Sequence, residues 1–455
     1  MTTDNSHTLP VGQTESIKSG NLLINFTTEF HRIWDSRGSD SAPGSFWRLA
    51  PDPDALPGYF PLGDIVVRGY DNVNGSKIVA VVREGDETPA GKALSRPIDY
   101  EKVWRDSSSG AAADCTVWRP IPPSGYVALG VVCSNGRDKP LLNTVRCVRS
   151  DLVVAANLGD LIWSDKGSGA RQNFSAWHID PPPAQPGEIY FSPGSFFAVQ
   201  SHGKPATPVS YVLRMQIPRQ VNPAPEPPEL SGYEAPSAVE PARVTQVARL
   251  PWFAVRENLQ PTEQLRTSPF YCLERTDQYV LVGHTYNTGD QCRPAKWKAF
   301  PVQNPIMQQI FSSLTSIRID TAWPANAVNN ARAIEFSACL QEDFTHTEHS
   351  TGGWNELRPL GVIAMAAKCK AVAVYQIQSD YMLKRADGTK VAVSIGYSDD
   401  ESLHLSEYPQ EVDTPAMLAP ASSTALVKGL DHDAVGILVE SPPVSDLPPS
   451  IDSAP

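Results

Sequence analysis

The chain has 455 residues, with 38 Lys and Arg against 50 Asp and Glu, a net charge of −12. That balance argues against an extended basic footprint for nucleic acid and against simple electrostatic docking of the chain on an anionic membrane. The 42 prolines, about 9% of residues against a usual ~5%, disfavour long helices and favour loops and β-edges.

Residues 1–19 read as a flexible N-terminus. Met1–Pro10 has neither a basic nor an apolar region of signal-peptide type, so the expectation is synthesis in the cytoplasm without a secretory signal peptide and release by an unknown route. No apolar run reaches the ~18 residues of a membrane-spanning helix. Cys115, Cys133, Cys147, Cys272, Cys292, Cys339 and Cys369 are odd in number and form no CxxC. Zinc and thioredoxin-type readings therefore fail, and free, mostly buried thiols are expected.

Residues 20–217 carry an internal repeat. Three times a hydrophobic-Trp pair and a polar Gly/Ser loop lead to a second Trp. The pairs are Trp34 and Trp47, Trp104 and Trp118, and Trp163 and Trp177, spaced 13, 14 and 14 residues apart. Each second Trp is followed by a proline-rich turn and a strand-like phrase: Gly58-Tyr59-Phe60-Pro61-Leu62-Gly63, Gly125-Tyr126-Val127-Ala128-Leu129-Gly130, and the looser Gly187-Glu188-Ile189-Tyr190-Phe191 reaching Gly194. Repetition at this period means stacked or radially arranged units. β-branched runs such as Ile78–Val82, bounded by turn residues including Asn74-Gly75, read as strands. The pattern predicts a three-unit β-prism-like domain, with the six tryptophans as core aromatics and the Gly/Ser loops as contact surfaces.

Residues 218–242 hold Pro218, Pro223, Pro225, Pro227, Pro228, Pro236 and Pro241, and read as an extended linker. Residues 243–408 read as a β-rich, antiparallel domain. Ser316–Thr321 and Ile334–Gln341 alternate polar and apolar, as do Ala371–Ile377, Tyr381–Leu383 and Val391–Ile395, with Asp387-Gly388 as a turn. The tail, 409–455, sets seven Asp and Glu against Lys428, half the net charge in the last tenth of the chain. Its Pro/Ser/Asp-rich end reads as disordered.

Chemistry is represented mainly by absences. There is no GxGxxG after a strand, no Walker loop, no HExxH and no GxSxG. His346 and His349 would point to opposite faces of a strand, Asp431-His432-Asp433 lies in the acidic tail, and Asp71–Gly75 lacks the distal Glu of a calcium loop. No catalytic residue, metal or cofactor is expected. The alternation in the back half admits two readings. It is the signature of a half-buried antiparallel sheet. It is also that of ribbons which insert as a β-barrel, with Ile317, Ile319, Ile334, Phe336, Ala338 and Leu340 as the lipid-facing set.

The phrase Val117-Trp118-Arg119-Pro120-Ile121-Pro122-Pro123-Ser124-Gly125-Tyr126-Val127-Ala128-Leu129-Gly130 resembles one that marks the vacuolar-protein-sorting "sixty-two" family and recurs in vacuolar-sorting-thirteen-type proteins. Phe46-Trp47-Arg48 with Pro57–Asp64 resembles it again, whereas the third copy has Trp177-His178-Ile179-Asp180 in place of Trp-Arg-Pro. The strand phrases Ala371–Tyr375 and Leu383–Gly388 resemble aerolysin-type β-pore-forming proteins, and bacterial insecticidal proteins are similar in plan. This resemblance implies an elongated pore-forming domain. It also implies a cell-surface glycan or lipid receptor, a target membrane, a homo-oligomer on that membrane and, in a two-protein toxin, a second toxin component. Three functions fit: a β-pore-forming toxin or one component of a binary toxin, a non-lytic lectin-like or lipid-binding module, and an enzyme with dispersed catalytic residues.

Overall fold

The computed structural model describes residues 15–299 apart from 186, 207, 238–240 and 256–258. Beyond these it describes 316–319, 336–339, 360–391, 395–397, 403–410 and 437–440. The regular structure of the described chain is almost entirely antiparallel β-sheet, with one α-helix, Pro261–Thr267. No helix among these residues is long and apolar enough to cross a membrane.

The front half is a pseudo-threefold body. Each repeat contributes six strands in the same order. The second, third and fifth form one sheet, and the first, sixth and fourth form another. In repeat one the first sheet is Phe30–Asp35, Gly44–Leu49 and Ile65–Arg68, and the second is Leu22–Thr27, Val79–Glu84 and Phe60–Pro61. Repeat two repeats the plan with Asp99–Arg105, Cys115–Ile121 and Val132–Asn135, then Leu94–Ser95, Cys147–Arg149 and Tyr126–Val127. Repeat three uses Asn157–Ser164, Ser175–Asp180 and Phe197–Val199, then Val153–Ala155, Tyr211–Gln216 and Glu188–Phe191.

The six tryptophans divide into two classes. Trp34, Trp104 and Trp163 meet on the axis with Phe46, Phe174 and Phe196. Their indole N–H groups close a ring around the repeats: Trp34 donates to Ala113 O at 2.7 Å, Trp104 to Gln172 O at 2.9 Å, and Trp163 to Ala42 O at 2.7 Å. A buried indole N–H needs an acceptor, and here each repeat supplies one for its neighbour. Trp47, Trp118 and Trp177 lie in three separate outer clusters. Each bonds a serine of its own repeat, Ser45, Ser134 and Ser175.

The loops between paired tryptophans differ from the sequence expectation. Their tips are exposed, but Ser36, Asp106 and Asp165 at their bases are buried. The loops pack on one another at the axis: Ala112 N donates to Arg37 O at 2.9 Å. Gly38 and Gly110 have φ of 94° and 82°, and a Cβ on Gly38 would stand 2.6 Å from Gly110 O. Side-chain-free residues are what this approach requires.

The back half is built on two long paired strands, Phe270–Tyr286 and Ala371–Arg385. Seventeen residues of strand extend roughly 55 Å, which gives an elongated sheet. The segments Ala371–Ile377 and Tyr381–Leu383, separate in the sequence pattern, are one strand. A second sheet, Arg293–Ala299, Leu360–Ala366 and Ile437–Glu440, packs on it through Val362, Ala364, Ala366, Val372 and Val374.

The proline-rich stretch is not a free spacer. Arg219–Val221 is a strand paired with Arg243–Pro251. Farther on, Leu230 is buried against Ala371, Ala373 and Tyr375, and its N–H donates to Ser406 Oγ at 2.8 Å. Prolines keep this segment out of a ladder but leave its few apolar side chains free to cover a sheet. The two halves also share one core: Ile189, Phe191, Leu213 and Met215 of repeat three pack with Leu250, Trp252, Phe253, Tyr271 and Tyr381.

Candidate functional site: the edge of repeat three

Strand four is where the repeats part company. In repeat one it is Phe60–Pro61, and Pro61 has no N–H to offer a further strand. In repeat two it is Tyr126–Val127, again two residues. In repeat three it is Glu188–Phe191, four residues with four backbone N–H groups.

Glu188 anchors that strand. It accepts from Arg214 Nε at 2.9 Å, Gln216 Nε2 at 2.6 Å and Tyr190 OH at 2.6 Å. Burial pushes its carboxyl up, but these three donors outweigh burial and hold it below the ordinary glutamate value. Ile189 and Phe191 enter the core shared by the two halves, and Tyr190 enters an outer cluster beside Trp177. The Phe191 ring lies 4.7 Å from that of Phe253.

Two strands from the back half extend the sheet here. Phe336–Cys339 pairs with Glu188–Phe191, and Ser316–Ile319 pairs with Phe336–Cys339 as the outermost strand. The register sets Ile189 opposite Ala338 opposite Ile317, Tyr190 opposite Ser337 opposite Arg318, and Phe191 opposite Phe336 opposite Ile319. Four of the six residues assigned from sequence to a lipid-facing set, Ile317, Ile319, Phe336 and Ala338, thus occupy matched rows of one ribbon. Ile334 and Leu340 lie outside the described residues, as do His346, His349, Asp431, His432, Asp433 and most of the acidic tail.

A ribbon held this way is joined to the body by main-chain bonds at one edge. Those bonds are general in chemistry and can be exchanged for bonds to another strand. No sequence signal in the ribbon named its docking edge. The signal lay in repeat three, whose fourth-strand phrase reads Glu188-Ile189-Tyr190-Phe191.

The arginine of the repeat phrase serves the body. Arg48 forks onto the buried Asp64 carboxylate, Nε to Oδ1 at 3.1 Å and a terminal nitrogen to Oδ2 at 3.0 Å, and also donates to Cys133 O of repeat two. Arg119 reaches Ala198 O of repeat three at 3.4 Å and pairs with the exposed Glu101. The phrase glycine meets its counterparts on the axis: a Cβ on Gly130 would stand 2.5 Å from Ser195 Cβ. Arginine and glycine of the phrase therefore join repeats. Among the described residues no group of three or more His, Cys, Asp or Glu is placed to hold a metal ion. Cys115, Cys133, Cys147, Cys272, Cys292 and Cys369 are free. Burial pushes the Cys147 thiol up to about 12, which keeps it protonated and unreactive at neutral pH.

One comparison with known proteins, the family model, fits this division. The family model of vacuolar protein sorting-associated protein 62 matches residues 8–217, the three repeats. No curated protein matches the chain. Among solved structures, GNIP1Aa from Chromobacterium piscinae is similar at 24% identity over 41% of this chain and 34% of that one, with a TM-score of 0.34. The chain thus spans about a third of the length of GNIP1Aa. Cry35Ab1 is similar at 11% identity over 86% of this chain and 91% of that one, also with a TM-score of 0.34.

Proposed function

We propose that the protein is a β-pore-forming toxin, or one component of a binary toxin, whose ribbon is stored as added strands on repeat three and released to insert as a barrel. One observation carries this reading: among the described residues, the alternating strands Ser316–Ile319 and Phe336–Cys339 extend the body's sheet at Glu188–Phe191. In the stored state the ribbon's inner strand, Phe336–Cys339, is bonded along one edge to the body. After release, in a membrane, the ribbon's backbone bonds are satisfied by neighbouring copies in a closed barrel. The threefold body binds a cell-surface glycan or lipid.

The test is a disulfide between Tyr190→Cys and Ser337→Cys, which stand directly opposite across the ladder. Dye release is measured from insect midgut brush-border vesicles and from phospholipid vesicles. We expect release by the wild type, none by the oxidised staple, and recovery on reduction. Undiminished release while the staple is oxidised overturns the proposal, as does no release by the wild type from either membrane.

A further inference from the structure

Four of the largest exposed apolar side chains converge on one edge of repeat two. Ile98 and Leu141 are 62% and 79% exposed, with Leu142 and Ile121 beside them at 43% and 36%. Backbone and side-chain bonds bring them together. Ile98 N donates to Ile121 O at 2.8 Å, and Tyr100 OH donates to Leu141 O at 3.0 Å. Lys139 Nζ is 2.7 Å from Asp99. The loop that corresponds in repeat one turns its apolar residue inward: Val73 is 5% exposed and packs with Trp47.

The surroundings of this edge are basic. Segments 95–102, 119–123 and 136–146 hold six Lys and Arg and three Asp and Glu. Counting Asp114, which pairs with Arg137, the local balance is 6 − 4 = +2 in a chain of −12. Two arginines stand out. The ladder ends with Cys147 opposite Ser95, and the next residues, Arg146 and Arg96, lie close enough for the Arg96 charge to act on Arg146. Arg146 is buried, lies 3.4 Å from the centre of the Phe60 ring and bonds only to neutral groups, Asn143 and the Val145 carbonyl. Neither arginine has a carboxylate partner among the described residues. Like charges placed this way repel, and an anion between them relieves the repulsion.

We infer that this edge of repeat two is a docking surface for an anionic phospholipid bilayer. Leu141, Leu142 and Ile98 enter the interface, and Arg96 with Arg146 takes a lipid phosphate. A few protruding tips are too small for a stable protein interface, which needs roughly 800 Å² per partner. They suit shallow insertion, where apolar tips and basic neighbours act together. The chain's overall charge opposes long-range attraction, so attachment depends on this patch within a Debye length. The inference rests on the membrane-acting reading above and names its lipid class.

The experiment is co-sedimentation of the full chain with phosphatidylcholine vesicles, with and without roughly a third phosphatidylserine. We expect partition only onto the serine-containing vesicles. Leu141→Ser with Leu142→Ser, and separately Arg96→Glu, each lowers it about tenfold or more, the order set by one lost leucine burial. Val209→Ser, equally exposed in repeat three, changes nothing. Wild-type partition by the double variant or by Arg96→Glu overturns the inference, as does equal partition onto pure phosphatidylcholine or displacement by inorganic phosphate alone. The stapled chain separates the two proposals. Binding without dye release before or after reduction removes the pore and leaves the docking surface. Release unaffected by the patch variants does the reverse.

Discussion

Repeats one and three are built from the same six strands in the same order, yet their fourth strands meet different fates. Pro61 shortens the strand in repeat one, while Glu188–Phe191 runs for four residues and carries two further strands. The internal symmetry is therefore a scaffold whose exceptions hold the specialised features. Repeat three gives up the Trp-Arg-Pro phrase and gains an open edge. Repeat two keeps the phrase but turns Leu141 and Leu142 outward. Repeat one keeps the Trp-Arg pair, buries its loop residue Val73 and sets Arg48 on the buried Asp64.

If the axis is what makes the repeats one body, its loss is the most damaging change. Trp104→Ala empties a fully buried site shared by all three repeats, and should cost about 3–5 kcal/mol in urea unfolding. Little change in midpoint would mean that the repeats are held independently. The phrase arginines give a sharper contrast. Asp64 is fully buried beneath Arg48, so Asp64→Asn should cost about 3 kcal/mol by leaving a largely buried cation without its counter-charge. Glu101→Gln, at the exposed pair with Arg119, should cost less than about 1 kcal/mol. Equal losses would show that the two arginines are held alike.

The smallest effect has the opposite sign. Asp106 takes the place that Ser36 holds in repeat one. It is buried and one of its oxygens has no partner. Burial raises its pKa, helped by the Asp114 and Asp165 carboxylates and opposed by Ser109. A carboxyl raised in the folded state favours folding while protonated, and that benefit is lost as pH climbs from about 4 through the raised value. Asp106→Asn should therefore be slightly more stable than the wild type at pH 7, with the gain vanishing near pH 3. Melting curves at both pH values check it. A variant less stable than the wild type at pH 7 would mean that the carboxylate is satisfied.

The repeat, its six tryptophans and the β character of both halves were legible because hydrophobic spacing and turn residues are local signals. The division of the tryptophans was not. Trp34 and Trp47 sit in equivalent sequence contexts, and only the closing of three repeats onto one another places the first on the axis. The proline-rich stretch misled for a related reason. Its prolines report local backbone stiffness, whereas the burial of Leu230 against Tyr375 depends on a sheet far along the chain. The patch on repeat two was invisible in sequence because Leu141-Leu142 reads like any buried pair until exposure is known.

The amino-acid order alone determined that this chain is all-β, threefold in its front half and alternating in its back half, since periodicity and turn chemistry act over a few residues. Tertiary structure alone decided that the halves share a core, that the ribbon lies on repeat three, and which arginines face one another. Those facts depend on pairings between residues about fifty or more positions apart, from Ser95 with Cys147 to Tyr190 with Ser337, which no local pattern encodes.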